Sequence, residues 1–269
     1  MHQNHRKTIV LVTLMVLLLS AFGVAYAITN GQPDGDAHPY VGLVVFYDGD
    51  GTPQWRCSAS LIAPTVLLTA GHCTDGAATA QVWFDSTVNR PPYPISGGVM
   101  GTPYTHPQFC TGCGKGLPDF ASHDVGIVVL DSAVNDKGFA ALPAEGLVDT
   151  LPMKSGVDLV GYGVQDKVGT GVPPSARWVG LLQRFFAPSQ LVASNDVIAS
   201  QFIKLTANPG QGKGGTCFGD SGGPDLVAGT NTVLGVNSFV TSSNCAGVTY
   251  SYRVDTTDAL QFINWYLTH

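Results

Sequence analysis

Gly219-Asp220-Ser221-Gly222-Gly223-Pro224 is the stretch on which the reading turns. A serine set among glycines sits where the backbone can bend sharply and expose its N–H groups. A serine hydroxyl is a poor nucleophile at neutral pH, so it needs a base within hydrogen-bond reach and a third group to orient that base. Two further stretches supply those groups: Leu68-Thr69-Ala70-Gly71-His72-Cys73 and His123-Asp124-Val125-Gly126-Ile127. Asp124 follows His72 by 52 positions and Ser221 follows Asp124 by 97. Taken singly, each has a bland structural reading: a histidine beside a cysteine, a turn aspartate before a strand, a glycine-rich loop. Together they hold a nucleophile, a base and an orienting carboxylate.

The surrounding chain is built for strands. Charged residues are only 12% of its 269 residues, with 33 glycines and 17 prolines. The 44% hydrophobic content argues against disorder. Apolar runs at Val41–Tyr47, Trp55–Ile62, Val66–Thr69, Gln81–Phe84, Val125–Leu130, Val157–Val160, Trp178–Leu182, Ile198–Leu205 and Leu234–Val240 are separated by Gly, Pro, Asn or Asp. Spacing of this kind suggests an antiparallel barrel or sandwich. Tyr104–Ser122 and Asn208–Gly215 read as long loops, and Asn135–Gly156 as a strandless connection between two halves. One helix is expected, at the carboxyl end. Asp255 or Thr256 would cap it, and Leu260, Ile263, Trp265 and Leu267 would be its apolar positions.

The amino end has the form of an export signal. His2, His5, Arg6 and Lys7 precede an apolar run from Ile9 to Leu19, and Ala25-Tyr26-Ala27 offers a small-x-small cleavage site. Cleavage would leave a mature chain starting at Ile28, with 11 bases against 19 acids. That balance disfavours nucleic acid or an anionic membrane as a partner, since phosphate recognition needs clustered cations. All six cysteines, at 57, 73, 110, 113, 217 and 245, follow the signal. An even number in an exported chain favours disulfides, but about 15 pairings are open. For Cys110 and Cys113 a local disulfide is expected. A zinc site using His106, Cys110, Cys113 and His123 is the alternative.

The three motifs, in His–Asp–Ser order, resemble the trypsin/chymotrypsin-like serine proteases, and the likeness runs from Ile28 to the terminal helix. The small cysteine number resembles bacterial-type members with few disulfides. The resemblance implies an all-β fold of two six-stranded antiparallel β-barrels with a C-terminal helix. The boundaries would be 1–27 signal peptide, 28–140 first barrel, 141–254 second barrel and 255–269 helix. It implies a secreted serine endopeptidase working through an acyl-enzyme: His72 the base, Asp124 its orienter, Ser221 the nucleophile, and the N–H groups of Gly219 and Ser221 the oxyanion hole. It pairs Cys57 with Cys73 and Cys217 with Cys245. A free Ile28 amine would pair with Asp220, so that export itself activates the enzyme.

The same alignment puts Gly215 at the base of the specificity pocket, Thr216 beside it and Ser238-Phe239-Val240 on its wall. Without a carboxylate at Gly215, a basic side chain would lack its partner. Val240, where wide-pocket members have glycine, should narrow the entrance. An elastase-like preference for small or medium apolar residues follows. The reading calls for no cofactor and no metal requirement, for protein or peptide substrates and protein inhibitors as partners, and for a monomer free of the membrane after cleavage. Two rivals stand against it. One is a catalytically silent homologue acting as a binding protein; the other is a membrane-tethered protease with its signal uncut.

Overall fold

The computed structural model describes residues 28–88, 96–113, 121–164, 166–168, 177–179, 182–192, 200–243 and 245–269. The expected signal peptide, 1–27, lies outside them. In the first half, β1 (Gln32–Pro33) is followed by β2 (Val41–Tyr47), β3 (Pro53–Ala63), β4 (Val66–Thr69), the single helical turn α1 (Gly71–Thr74), β5 (Thr79–Trp83), β6 (Val99–Thr105), the short pair β7 (Cys110–Thr111) and β8 (Ala121–Ser122), and β9 (Gly126–Leu130). Strands β2-β3-β4-β9-β6-β5 close on themselves as an antiparallel barrel. Every side chain of β2 is buried, because strand packing covers both of its faces.

The connection carries the four-residue helix α2 (Leu147–Thr150) and no strand. The second half contains β10 (Gly156–Gly161), β11 (Asp166–Val168), β12 (Arg177–Val179), β13 (Phe185–Gln190), β14 (Phe202–Ala207), β15 (Pro224–Val227), β16 (Val233–Val240), β17 (Gly247–Arg253) and α3 (Thr257–Thr268). Its main sheet runs β1-β13-β10-β15-β16-β17-β14. A bridge from Leu191 to Leu205, and the bond from Val192 N to Lys204 O at 2.9 Å, bring its two ends together. The result is a second barrel-like unit with β1 added at the edge of β13, so the all-β, two-barrel expectation holds.

Strands β6, β13, β15 and β17 stand outside the apolar runs that the sequence marks. Pro103 breaks the apolar pattern of β6, and Pro188 that of β13, yet both sit in paired positions of their ladders. Residues 104 and 105, expected in a loop, belong to β6. The terminal helix is capped by Thr256, whose Oγ accepts the Ala259 N–H at 3.2 Å. Asp255 turns inward instead, holding Arg253 at 2.9 Å and the Val148 N–H at 2.8 Å. Trp265 is 57% exposed and stacks on His269. Phe262 and Tyr266 pack toward the barrels in its place, because they fall on the stripe that carries Ala259 and Ile263.

Arg184 locks the two halves together. Its side chain is fully buried and pairs with Asp34 at 2.7 Å. It also donates to the carbonyls of Val41, Phe84 and Gly35 and to the Tyr162 hydroxyl. Burial pushes the Asp34 carboxyl up, but its hydrogen bonds to His38 and Arg184 outweigh this and hold it below the usual carboxylate range. Truncating the cation would strand the Asp34 charge and several carbonyls without a partner. Arg184→Ala should therefore cost about 3–5 kcal/mol of stability, measured by urea unfolding.

Candidate active site

Each half delivers part of one cleft. The turn α1, directly after β4, carries His72; Asp124 precedes β9; Ser221 lies in the loop before β15. Asp124 is fully buried. Its Oδ2 sits 2.9 Å and its Oδ1 3.1 Å from His72 Nδ1, and Oδ1 also accepts the His72 backbone N–H at 2.7 Å. The Ser238 hydroxyl donates to Oδ2 as well. A carboxylate gripped on both oxygens cannot swing, so the ring it holds is fixed in orientation.

The charges follow from this geometry. Burial alone would raise the Asp124 pKa, but the His72 charge and the bonds from His72 and Ser238 hold it below the ordinary carboxylate range. Burial alone would depress His72. The Asp124 charge and hydrogen bond overcome it and raise its pKa above the usual value. The Nδ1 side is thus the proton-bearing side, leaving Nε2 as the basic atom.

Ser221 stands on a loop nailed to the first barrel by Ser58. Ser58 N donates to Ser221 O at 2.8 Å, and Ser58 Oγ donates to Gly219 O at 3.1 Å. Gly222 has φ +75°, and a Cβ there would lie 2.0 Å from Thr69 Oγ1, so only glycine fits. The N–H groups of Gly219 and Ser221 donate to no acceptor among the described residues. They are two unused donors on either side of Asp220. No hydrogen bond joins Ser221 to His72 among the described residues. His72 Nε2 instead lies 3.7 Å from Cys73 Sγ.

Beside Ser221 opens a cavity of about 190 Å³. Thr216, Ser238, Phe239 and Val240, all expected there, line it; Gly215 does not. Gly215 lies behind the wall, its N–H bonded to Thr29 O at 3.1 Å, and a Cβ on it would meet Ala207 at 2.2 Å. Asn237 also lines the cavity, and its buried side-chain amide nitrogen has no hydrogen-bond partner among the described residues. Disulfides join Cys57 to Cys73, Cys217 to Cys245 and Cys110 to Cys113.

Asp220 is fully buried with its oxygens on the N–H groups of Gly163, at 2.8 Å, and Cys217, at 2.9 Å. Burial pushes its carboxyl up to about 7. No cation touches it among the described residues. Ile28 is fully buried too, in the second core with Val157, Leu159, Phe185 and Leu234. Its φ of +46° is a strained setting for a β-branched residue.

The sequence pattern of the trypsin family matches residues 28–265. The chain belongs to the trypsin family of serine proteases. This trypsin-family chain is 30% identical over 239 residues to proproteinase E of Bos taurus, covering 81% of this chain and 85% of that one. It is 27% identical over 266 residues to chymotrypsin-like elastase family member 3B of Homo sapiens, covering 86% and 88%. The solved structure of HL collagenase matches with a TM-score of 0.65 over 91% of this chain and 96% of its own; at 19% identity that likeness carries the fold alone. The protein is a serine protease that acts on protein substrates.

Ser58 and Ser238 have no motif of their own. Their roles come from positions opposite the loop and the carboxylate, which only the folded chain brings together. The His72 geometry can be checked without turnover. By NMR on Ser221→Ala, His72 should titrate above the ordinary histidine value of ~6.5. Asp124→Asn should bring that value down, because it removes the charge that raises it.

Proposed function

We propose that this protease cuts through an acyl-enzyme formed on Ser221. His72 Nε2 takes the hydroxyl proton as Ser221 attacks the scissile carbonyl, and Asp124 stabilises the imidazolium. The unused N–H groups of Gly219 and Ser221 receive the oxyanion. The observation that carries this reading is the Asp124 carboxylate, held on both oxygens by His72 and Ser238. As substrate approaches, His72 Nε2 has to close on Ser221; catalytic contacts are often loose before substrate arrives. Ser221→Ala should abolish peptide hydrolysis while leaving the unfolding midpoint unchanged. Turnover at the wild-type rate would exclude Ser221 as nucleophile. At neutral pH, Asp124→Asn should lower kcat by about 10⁴-fold through the wrong imidazole tautomer.

The preferred substrate presents a small or medium apolar residue before the cut. The narrow cavity walled by Val240 supports this, as does the name of the human elastase relative. A peptide-library cleavage profile tests it; cleavage after Arg or Lys would overturn the pocket assignment.

Activation follows from residues 1–27 acting as an export signal removed after Ala27. Three observations support this: the burial of Ile28, its strained φ, and an Asp220 carboxylate that meets no cation among the described residues. The cut would remove the torsional constraint on Ile28 and supply an amine to that carboxylate. In the uncut chain the Asp220 pKa is raised from its unfolded value to about 7. Stability in that form is therefore full below the unfolded value and falls as pH rises toward the folded one. In the mature chain the ion pair removes that loss, and a raised amine pKa moves it to the alkaline side. Melting temperatures of both forms across pH check the sign. The precursor, blocked by Ala25→Phe and Ala27→Phe, should lose stability between about pH 4 and pH 7 while the mature protein does not.

A further inference from the structure

Asp124 has a neighbour whose side chain takes no part in catalysis. His123, at φ +52°, points its Nδ1 to Asp258 Oδ2 at 2.6 Å. His106 Nε2 reaches the same oxygen at 3.3 Å, and the two imidazoles stack with centroids 5.0 Å apart. One potential ligand atom from each of His106, His123 and Asp258 lies within 4.8 Å of the other two. They come from three separate places: the residue after β6, the turn before β9 and the first turn of α3. Ligand atoms around a tetrahedral zinc stand about 3.3 Å apart. His106 Nε2 and Asp258 Oδ2 already stand 3.3 Å apart, so an ion needs Asp258 Oδ2 to draw back from His123 Nδ1 and the two ring nitrogens to come together.

Two imidazoles and a carboxylate are the donor set that suits zinc rather than calcium or magnesium. Cys110 and Cys113 are bonded to each other and offer no thiolate, so Asp258 takes the place those cysteines would have had. An open cavity of about 500 Å³, lined by His106, Gln108, Asp258, Gln261 and Phe262 among others, adjoins the cluster. It gives an ion its entry path and water for the fourth position. His106 Nδ1 accepts the Gln108 N–H at 3.2 Å. Metal on Nε2 moves the ring proton to Nδ1, so this long contact on an exposed turn has to open.

We propose that His106, His123 and Asp258 form a zinc site outside the cleft that inhibits the protease. The consequence for catalysis is electrostatic and positional. A dication beside His123 opposes the positive charge that His72 gains in the transition state. It also fixes the residue from which the Asp124 backbone departs. The cavity beside Ser221 shares no lining residue with the one at this cluster, so substrate binding is left alone. The inhibitory part rests on the proposed role of the Asp124–His72 pair; the binding part does not.

Zinc titrated into mature Ser221→Ala protein by calorimetry should bind at one site with micromolar affinity. Asp258→Asn and His106→Gln should weaken it at least tenfold, and His72→Ala should not. With active enzyme and a small peptide substrate, zinc should lower kcat with KM unchanged, and Asp258→Asn should turn over without responding to zinc. The proposal is overturned if no zinc binds, if His72→Ala abolishes binding, if zinc binds without lowering kcat, or if inhibition is competitive and persists in Asp258→Asn. An inactive but zinc-binding protein would instead count against the catalytic reading.

Discussion

A fully buried guanidinium holds this molecule to one shape. Arg184 draws hydrogen-bond acceptors from the segment before β2, from the ends of β2 and β5, and from Tyr162 after β10. Neither half can satisfy that charge alone. The price of burying it is met only when both barrels and the amino-terminal segment close around it together. The cleft is a by-product of that closure. Its base and carboxylate come from one half and its serine from the other, so their geometry is only as fixed as the seam. Ser58 adds a second stitch close by, tying the Ser221 loop to β3.

Much of this was legible before any folding was considered. The three motif residues and the first barrel's strands β2, β3 and β4 could be read from local pattern, because β-branched and apolar runs bounded by turn residues need no distant partner to be recognised. The strands that escaped notice did so for physical reasons. Strand β6 contains Gly101 and Pro103, and β13 contains Pro188. Residues that disfavour strands in isolation are tolerated where neighbouring ladders already fix the backbone. Trp265 faces solvent despite its size, because aromatic character does not reveal which way a surface turn faces.

The site shows the same division. Chemistry that depends on residue type at fixed spacing was visible; chemistry that depends on convergence was not. Ser238 reads as part of the pocket wall, and its second role shows only when its hydroxyl is seen on Asp124. Asp258 reads as a favourable acid in the first turn of a helix, which it also is, until His106 and His123 are found on the same oxygen. Gly215 illustrates the converse. The expected alignment assigns it to the pocket base, whereas in the fold it backs the wall and bonds to Thr29.

That bond bears on how the proposed precursor has to be processed. Thr29 is pinned to Gly215 and Cys245, and Ile28 fills the second core, so the chain's register is set from residue 28 onward. One residue spans about 3.3–3.6 Å of extended chain, more than a hydrogen bond can stretch. An amine displaced by a single position would miss the Asp220 carboxylate. On the proposed activation, the folded barrel acts as a ruler for its own maturation: a peptidase that slipped by one residue would leave an exported chain without the Ile28–Asp220 pair.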